Sequence, residues 1–251
     1  MNPAADSARK RAPFPRLRGF LTSQRQLVRA YFGFRYLRSD PYGSRRRKEL
    51  LRVNRAFALL DGVEATNALD IGCGEGYEAS RLAKVAEHVL AIDISDTAIR
   101  RARRLNRSCG KVDFKRVDFL TAPLVAGAYD LVYCSEALYY LELEQLEAAR
   151  RKIIDLLQPE GRLLLVHHRS FRDETAGTMD KKFGARTIHD VFVGSAELRS
   201  EEDVLDPHYR ITLLRRQIIP LAVEEKRWAS HRDQLRNPPG QGAGEDEAPT
   251  E

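Results

Sequence analysis

The chain has 251 residues, of which 43% are hydrophobic and 31% charged, a balance that favours one large domain with extensions over two domains. No apolar run approaches the roughly 20 residues of a membrane span, and the N-terminus lacks an apolar signal-peptide core. We therefore expect a cytoplasmic protein without a membrane segment. The cysteines, Cys73, Cys109 and Cys134, form no CxxC pair, which argues against a disulfide framework and against a zinc site.

Positive charge is concentrated at the N-terminus. Residues 1–55 contain 15 Lys/Arg and 3 Asp/Glu, a balance of +12, so the remainder of this chain of net charge +6 carries −6. Such an arm could contact nucleic acid, anionic lipid or an acidic substrate, or could be a solvated extension. It also resembles a transit peptide, although Pro13 and Pro15 would interrupt an amphipathic helix there.

The order of apolar and polar residues divides the chain into five segments. Leu27, Tyr31 and Phe34, and later Leu50 and Val53, recur at helical spacing on either side of a Pro-Gly break. The Pro/Gly/acid-rich C-terminus is typical of disorder. The predicted segments are a flexible basic arm (1–20), an N-terminal helical segment (21–60), a main domain (61–220), a C-terminal helical segment (221–236) and a disordered acidic tail (237–251).

Apolar runs alternate with amphipathic stretches from residue 67 to 169. The predicted strands are Ala68–Ile71, Val89–Ile94, Val112–Val117, Leu131–Cys134 and Arg162–Val166, with helices near 76–86, 96–107 and 143–157. Alternation of this kind predicts a parallel sheet with helices on both faces. A short helix at 187–193 follows, and then two runs around 197–205 and 209–218. Asp206-Pro207 separates these runs so closely that the two strands must pair antiparallel.

A glycine-rich turn follows the first predicted strand in 67-NALDIGCGEGYEASRLAKVAEHVLAIDIS-95. Gly72, Gly74 and Gly76 have the spacing GxGxG, whereas dinucleotide folds usually show GxGxxG. Asp70 and Glu75 would repel a pyrophosphate. The same acids would attract the sulfonium and ammonium of S-adenosylmethionine, which carries no phosphate, so this cofactor is favoured over a nicotinamide dinucleotide.

Further polar residues follow the next strands. Asp93 ends the second strand, where an acid can bind both ribose hydroxyls. Asp118, with Phe119 beside it, could accept a hydrogen bond from the adenine amino group. Ser135 and Glu136 follow the fourth strand. All of these positions lie at carboxyl ends of parallel strands, where open α/β sheets bind ligands.

These motifs resemble a known family. The series DIGCGEG, AIDIS, VDF, YDLVYCSEALYYL and LLQPEGRLLLV, over about 67–166, is similar to the class I S-adenosylmethionine-dependent methyltransferases. The stretches 39-SDPYGSRRRKELL-51, 135-SEALYYLE-142, 166-VHHR-169, 188-IHDVF-192 and 209-YRITLLRR-216 resemble the nodulation protein S-like branch. Founding members of that branch N-methylate the free amine of a partly deacetylated chitin oligosaccharide.

The resemblance implies a Rossmann-like fold, a mostly parallel seven-stranded sheet with an antiparallel last strand. It also implies cofactor contacts at Asp70, Gly72, Asp93, Asp118 and Phe119. With their neighbours on the same turns, the predicted cofactor-binding set is Asp70, Gly72, Cys73, Gly74, Gly76, Asp93, Ile94, Asp118, Phe119 and Ser135.

An amine acceptor must lose a proton in the reaction, and a carboxylate or imidazole can take it. The candidates are Glu136, His168 and His189, the last placed to overhang the pocket. His167 is adjacent to His168 on a strand end, so at most one of the two can face the site. Tyr139 and Tyr140 are either walls of an acceptor pocket or core residues of a turn. The histidines lack carboxylate partners at ligand spacing, so no metal is expected.

The sequence therefore predicts an S-adenosylmethionine-dependent methyltransferase acting on a small-molecule or oligosaccharide acceptor, preferentially an amine, with the 21–60 segment as a lid over the cofactor. Two alternatives stay open: a nucleic-acid methyltransferase that uses the basic arm, and a non-catalytic protein that keeps the cofactor pocket. The absence of a recognisable RNA- or DNA-binding motif disfavours the first. The acceptor atom and the oligomeric state are left undetermined.

Overall fold

The computed structural model describes residues 30–32, 34–36, 40–41, 43, 46–169 and 183–218. The predicted basic arm (1–20), C-terminal helical segment (221–236) and acidic tail (237–251) lie outside these residues. Part of the predicted lid, residues 21–60, also lies outside them. Residues 30–32 and 34–35 are helical, as their apolar spacing predicts.

Helices and strands alternate along the described chain. The helices are α1 (Arg47–Ala58), α2 (Ala79–Leu82), α3 (Asp96–Leu105), α4 (Leu143–Leu156) and α5 (Ala185–Val193), with a 3₁₀ turn at Leu138–Tyr140. The strands are β1 (Ala65–Ile71), β2 (Ala86–Asp93), β3 (Val112–Arg116), β4 (Tyr129–Ser135), β5 (Leu157–His168), β6 (Leu198–Leu205) and β7 (Tyr209–Arg216).

The strands form one seven-stranded sheet in the order β3-β2-β1-β4-β5-β7-β6. Neighbouring strands from β3 to β5 are parallel, whereas β7 lies antiparallel between β5 and β6. This topology confirms the predicted Rossmann-like fold with an antiparallel last strand. The chain reverses its direction of travel across the sheet between β1 and β4, the position at which open α/β sheets form a ligand crevice.

Alternate residues of the central strands pack on opposite faces of the sheet. On β1, Leu69 joins a core cluster that includes Ile153 of α4 and Phe192 of α5, whereas its neighbour Ala68 joins a second cluster with Ala56 of α1. Strands buried on both faces have nearly continuous apolar sequences, which explains why they could be recognised. The sheet is thereby fixed from both sides, and its carboxyl edge is a rigid support.

Some predicted boundaries are wrong. The helix expected near 76–86 is reduced to Ala79–Leu82, because Gly76 has a positive φ of 77° and β2 already begins at Ala86. Strand β5 begins at Leu157 instead of Arg162. Its register with β4 shifts between Tyr129 and Leu131, so the strand includes the residues between Leu157 and Arg162, whose sequence resembles a turn. Strand β3 ends before Asp118, which lies in the following loop.

Candidate active site

A cavity of about 450 Å³ opens at the carboxyl ends of β1, β2 and β4. Ligand sites commonly have volumes of roughly 300–1,000 Å³. Most of the predicted site residues line it: Gly72, Cys73, Gly74, Asp93, Ile94, Asp118, Phe119, Ser135, Glu136 and His168. Residues of the N-terminal segment, among them Tyr36 and Arg52, form another part of the wall.

The glycine turn requires glycine at its first two predicted positions. Gly72 has φ of 77°, and a Cβ there would lie 2.5 Å from the Cβ of Ala137. Gly74 has φ of 54°, and its Cβ would lie 2.9 Å from the hydroxyl oxygen of Tyr36. Both positions therefore exclude larger residues by backbone conformation and by space. Ala137 and Tyr36 pack against this turn in the space that a side chain would fill.

Gly76 has a different role from the one predicted. It does not belong to the cavity lining, and a Cβ there would lie 2.8 Å from both Asn106 and Phe114. Asn106 also donates a hydrogen bond to the Gly76 carbonyl at 3.2 Å. Gly76 therefore packs the turn against α3 and β3 and does not contact the cavity.

Asp93 holds the glycine turn through its carboxylate. Its Oδ2 accepts a hydrogen bond from the Gly74 amide at 3.0 Å, and its Oδ1 accepts one from the Ser95 amide at 2.8 Å. Burial raises the pKa of Asp93 to about 6, although the hydrogen bonds from these backbone amides act in the opposite direction. Ser95 also caps α3 by accepting a hydrogen bond from the Ala98 amide at 3.3 Å.

Asp70 lies beneath the turn with 2% of its surface exposed, and its Oδ2 accepts no hydrogen bond in the structure. Burial raises the pKa of Asp70, and the nearby Glu78 and Asp93 add to the effect. Asp70 does not line the cavity directly. An unsatisfied buried acceptor beside a glycine turn fits a ligand with a cationic methionyl part better than it fits a pyrophosphate.

Asp118 and Phe119 lie at the far side of the cavity. The Asp118 carboxylate accepts a hydrogen bond from the Leu120 amide at 3.0 Å, which orders the loop after β3. The ammonium of Lys152 lies 5.3 Å from the centroid of the Phe119 ring. This cation fixes the aromatic ring in a position where it lines the cavity.

Glu136 is held at the mouth of the cavity in an unusual backbone conformation, with φ of 56°. Its Oε1 accepts hydrogen bonds from the His168 amide and from the Tyr139 hydroxyl, the latter at 3.1 Å. The Tyr139 hydroxyl lies 2.7 Å from the His168 carbonyl oxygen as well, so it has two acceptors for one hydrogen. A non-glycine residue at positive φ stores strain, which is typical of functional sites.

The two adjacent tyrosines differ in exposure. Tyr140 lines the cavity, where its ring contacts that of Phe32 edge-on at a centroid distance of 4.8 Å. Tyr139 is buried and supports Glu136 from beneath. Of the two interpretations, the cavity wall therefore describes Tyr140 and the core residue describes Tyr139.

The predicted position of His189 is wrong. Its side chain is fully buried under the sheet, where Nε2 lies 3.1 Å from Nδ1 of His167 and Nδ1 lies 2.6 Å from Oγ1 of Thr212. The Thr212 hydroxyl donates to Asp203 at 2.8 Å, so it must accept from His189 Nδ1–H, and His189 Nε2 then accepts from His167. Burial lowers the pKa of His189, with Arg210 adding to the effect.

His168 faces the cavity while His167 is buried, as adjacent strand residues must differ. The Nδ1 atom of His168 is buried and has no hydrogen-bond partner. Among the described residues, no group of three or more His, Cys, Asp or Glu could hold a metal ion. No helix in the described ranges is both long and apolar enough to cross a bilayer.

Arg52 on α1 was not predicted. It is 5% exposed and donates hydrogen bonds to Ser135 Oγ at 2.9 Å, to Glu49 at 3.0 Å and to Glu78 at 3.3 Å. Burial opposes its charge, but Glu78 and Glu136 more than compensate and raise its pKa. Tyr133 donates a further hydrogen bond to Glu78 at 2.7 Å. Arg52 therefore joins the N-terminal helix to the glycine turn and to the end of β4.

Comparisons with known proteins agree with this geometry. A family model described as a methyltransferase domain matches residues 68–161. Nodulation protein S of Bradyrhizobium diazoefficiens is 27% identical over 157 residues, 62% of this chain and 71% of that protein. Phosphoethanolamine N-methyltransferase 1 of Triticum aestivum is 28% identical over 129 residues, 48% of this chain and 25% of that relative.

A solved structure has a similar fold. The N-methyltransferase NodS from Bradyrhizobium japonicum WM9, in complex with S-adenosyl-L-homocysteine, matches with a TM-score of 0.68 at 23% identity. The match covers 75% of this chain and 98% of that one. The glycine turn and the acids around it fit S-adenosylmethionine, and the solved structure shows that the two chains share a fold. Residues 68–161 match a methyltransferase domain and the chain is similar to nodulation protein S, which supports an S-adenosylmethionine-dependent methyltransferase.

Proposed function

We propose that this enzyme transfers the methyl group to an amine of a small molecule, with an amino sugar or oligosaccharide as the preferred acceptor. The observation that carries the proposal is the Glu136 carboxylate, which lines the cavity and is fixed by two hydrogen bonds. The names of the relatives support it, since NodS is an N-methyltransferase and another relative is a phosphoethanolamine N-methyltransferase.

The proposed cofactor contacts divide by chemistry. Gly72 and Gly74 shape the turn that faces the methionyl part, and the buried carboxyl group of Asp70 lies beneath that turn. Asp93 accepts from the ribose hydroxyls, while Asp118 and Phe119 hold the adenine. S-adenosylmethionine supplies an electrophilic methyl group on a cationic sulfur. The acids of the cavity favour that cation over a phosphate-bearing cofactor.

Glu136 has two tasks in this mechanism. An amine is protonated in neutral solution, so a fixed carboxylate attracts the ammonium and orients its nitrogen towards the methyl carbon. Because an ammonium has no lone pair, the nitrogen must release a proton, and Glu136 can accept it. Tyr139 and the His168 amide hold the carboxylate in place during this step. His168, whose Nδ1 has no partner, is the second candidate for this proton.

The N-terminal segment closes over the cofactor in this proposal. Tyr36 lies against Gly74, and Arg52 connects α1 to Ser135 and Glu78, so two parts of the segment reach the cofactor turn. These contacts support the predicted lid. Helix α1 also belongs to the packed core through Ala56, so a point substitution tests the lid better than deletion does.

The direct test is methylation of a partly deacetylated chitin oligosaccharide, followed by mass spectrometry. The expected product carries one added methyl group and forms with the free-amine substrate but not with a fully acetylated control. Glu136→Gln should lower kcat about 100-fold or more, since general-base contributions are on this scale, while leaving cofactor affinity within about twofold. Glu144→Gln, an exposed glutamate on α4, is the matched control.

Other results would redirect the proposal. Unchanged kcat in Glu136→Gln would remove Glu136 from the mechanism. Cofactor binding without product on any amine would leave the nucleic-acid and non-catalytic alternatives, which salt-dependent RNA binding and methylation of RNA would separate.

A further inference from the structure

Two cations at the mouth of the cavity are not used by the proposed mechanism. Arg46 and Lys48 line the same cavity as Glu136 and Asp93, at the start of α1. Among the residues that the structure describes, neither side chain forms an ion pair or a hydrogen bond. Free cations facing a ligand cavity attract anionic groups.

The Arg46 side chain lies close to the Gly43 backbone. Gly43 has φ of 67° and is buried, and a Cβ there would lie 2.6 Å from Nε of Arg46 and 3.1 Å from its Cζ. The guanidinium group therefore lies directly over the Gly43 backbone, in space that another residue type would occupy.

The neighbouring charges leave this rim positive. Glu49 is the acidic residue nearest in sequence, and its carboxylate is already paired with Arg52 at 3.0 Å. The N-cap of α1 has no side-chain hydrogen bond, so the partial positive charge of the helix end adds to the same rim. The Glu136 carboxylate and the cations of Arg46 and Lys48 thus line the same cavity.

We propose that the acceptor carries an anionic group as well as its amine, and that Arg46 and Lys48 bind the anion while Glu136 faces the amine. This inference rests on the proposed function and narrows the acceptor to a phosphate- or carboxylate-bearing amine. It makes Arg46 and Lys48 determinants of specificity. Methyl transfer itself is unchanged: the nitrogen forms the new bond, the sulfur–carbon bond breaks, and the nitrogen releases one proton.

Binding of matched probes to the full chain tests this proposal without requiring turnover. With S-adenosyl-L-homocysteine bound, calorimetry compares glucosamine with glucosamine 6-phosphate and with muramic acid, which carries a carboxylate. We expect at least roughly tenfold tighter binding of an anionic probe, since a charge-assisted hydrogen bond has about that effect. The two anionic arms show whether phosphate or carboxylate is preferred.

Substitutions at Arg46 and Lys48 test where the anionic group binds. Arg46→Gln with Lys48→Gln should abolish the preference for the anionic probes and leave the affinity for glucosamine unchanged. Arg47→Gln is the matched control, because Arg47 is exposed on the same helix turn and does not line the cavity. Gly43→Ala should weaken the preference by displacing the Arg46 guanidinium.

Several outcomes would overturn the inference. Equal affinity for glucosamine and for both anionic probes would do so, and equal losses in Arg47→Gln and in the double variant would indicate diffuse surface charge instead of a site. Weaker cofactor binding in the double variant would assign these cations to the carboxylate of the cofactor. The proposed function fails separately: an anion preference that depends on Arg46 and Lys48, without methylation of any amine, would leave the anion site and remove N-methylation.

Discussion

Single residues at the carboxyl ends of strands determine the charge of the cavity and its capacity to accept hydrogen bonds. Asp93 shows this most directly, because its buried carboxylate, with a pKa raised to about 6, holds the Gly74 amide and faces the cavity. Protonation would remove its negative charge and part of its capacity to accept hydrogen bonds. The cofactor site therefore changes in a pH range in which ordinary aspartates stay ionised.

This predicts a pH-dependent cofactor affinity. The affinity for S-adenosylmethionine should be constant above about pH 7 and should fall as the pH drops through about 6, by up to about tenfold per pH unit. Asp93→Asn should bind weakly and lack that inflection, which separates Asp93 from Asp70, whose pKa is also raised. Isothermal titration calorimetry between pH 5 and 8 measures the affinity for the cofactor. Asp113→Asn, an exposed aspartate on β3, should keep the wild-type profile, and an inflection retained in Asp93→Asn would contradict the assignment.

At the scale of elements, helix α1 depends on one buried cation for its connection to the cofactor turn. Replacing Arg52 by methionine keeps much of the side-chain volume but leaves Glu49, Glu78 and Ser135 without their donor. We expect a loss of about 1–3 kcal/mol in the free energy of unfolding, together with roughly tenfold weaker cofactor binding. Urea denaturation and calorimetry measure the two effects.

The control for this prediction lies one helical turn further along α1. Arg55→Met changes an exposed arginine and should alter the free energy of unfolding by less than about 0.5 kcal/mol. If Arg52→Met loses stability but binds the cofactor normally, α1 would be a structural element and not a lid. Equal effects in both variants would mean that net charge, not the buried contacts, is responsible.

The protein contains buried groups whose pKa shifts change its folding stability with pH in opposite directions. Burial lowers the pKa of His189, so the unfolded chain, in which histidine has a pKa of about 6.5, takes up this proton first. Stability from this group is fully present above pH 6.5 and falls as the pH drops towards the folded pKa. The raised pKa values of Asp70 and Asp93 change stability with pH in the opposite direction. The contribution of His189 must therefore be isolated by comparing wild type with a variant that lacks this histidine.

We expect the difference in unfolding free energy between wild type and His189→Gln to decrease below pH 6.5, by at most about 1.4 kcal/mol per pH unit. His88→Gln replaces an exposed histidine and should show no such slope relative to wild type. Urea titrations at pH 5, 6, 7 and 8 give the comparison. A pH-independent difference for His189→Gln would show that this histidine titrates normally.

The sequence allowed prediction of those parts of the molecule that depend on local pattern. Gly72 and Gly74, with the acids at the ends of β1 and β2, could be predicted because buried parallel strands and a GxGxG turn have recognisable sequences. Arg52 could not, because its partners Glu78 and Ser135 are 26 and 83 residues distant and no periodicity connects them.

His189 was misplaced although a signal for its burial existed. It lies with Ala185, Ile188 and Phe192 on one helical stripe, and all four are buried in α5. A stripe with spacings of three and four predicts a face turned towards the core. The resemblance of 188-IHDVF-192 to the nodulation protein S-like branch favours a position at the site, whereas this periodicity predicts the buried position that the structure shows.

The position of β7 between β5 and β6 has a consequence for synthesis. Both neighbours precede β7 in the chain, and in the sheet β6 pairs with β7 alone. While the ribosome adds residues 198–208, β6 has no sheet partner and β5 has an open edge. An unpaired edge beside apolar residues such as Leu163 and Leu165 invites pairing with another chain. Nascent chains that stop before Arg216 should therefore be the species that require chaperones and aggregate most readily.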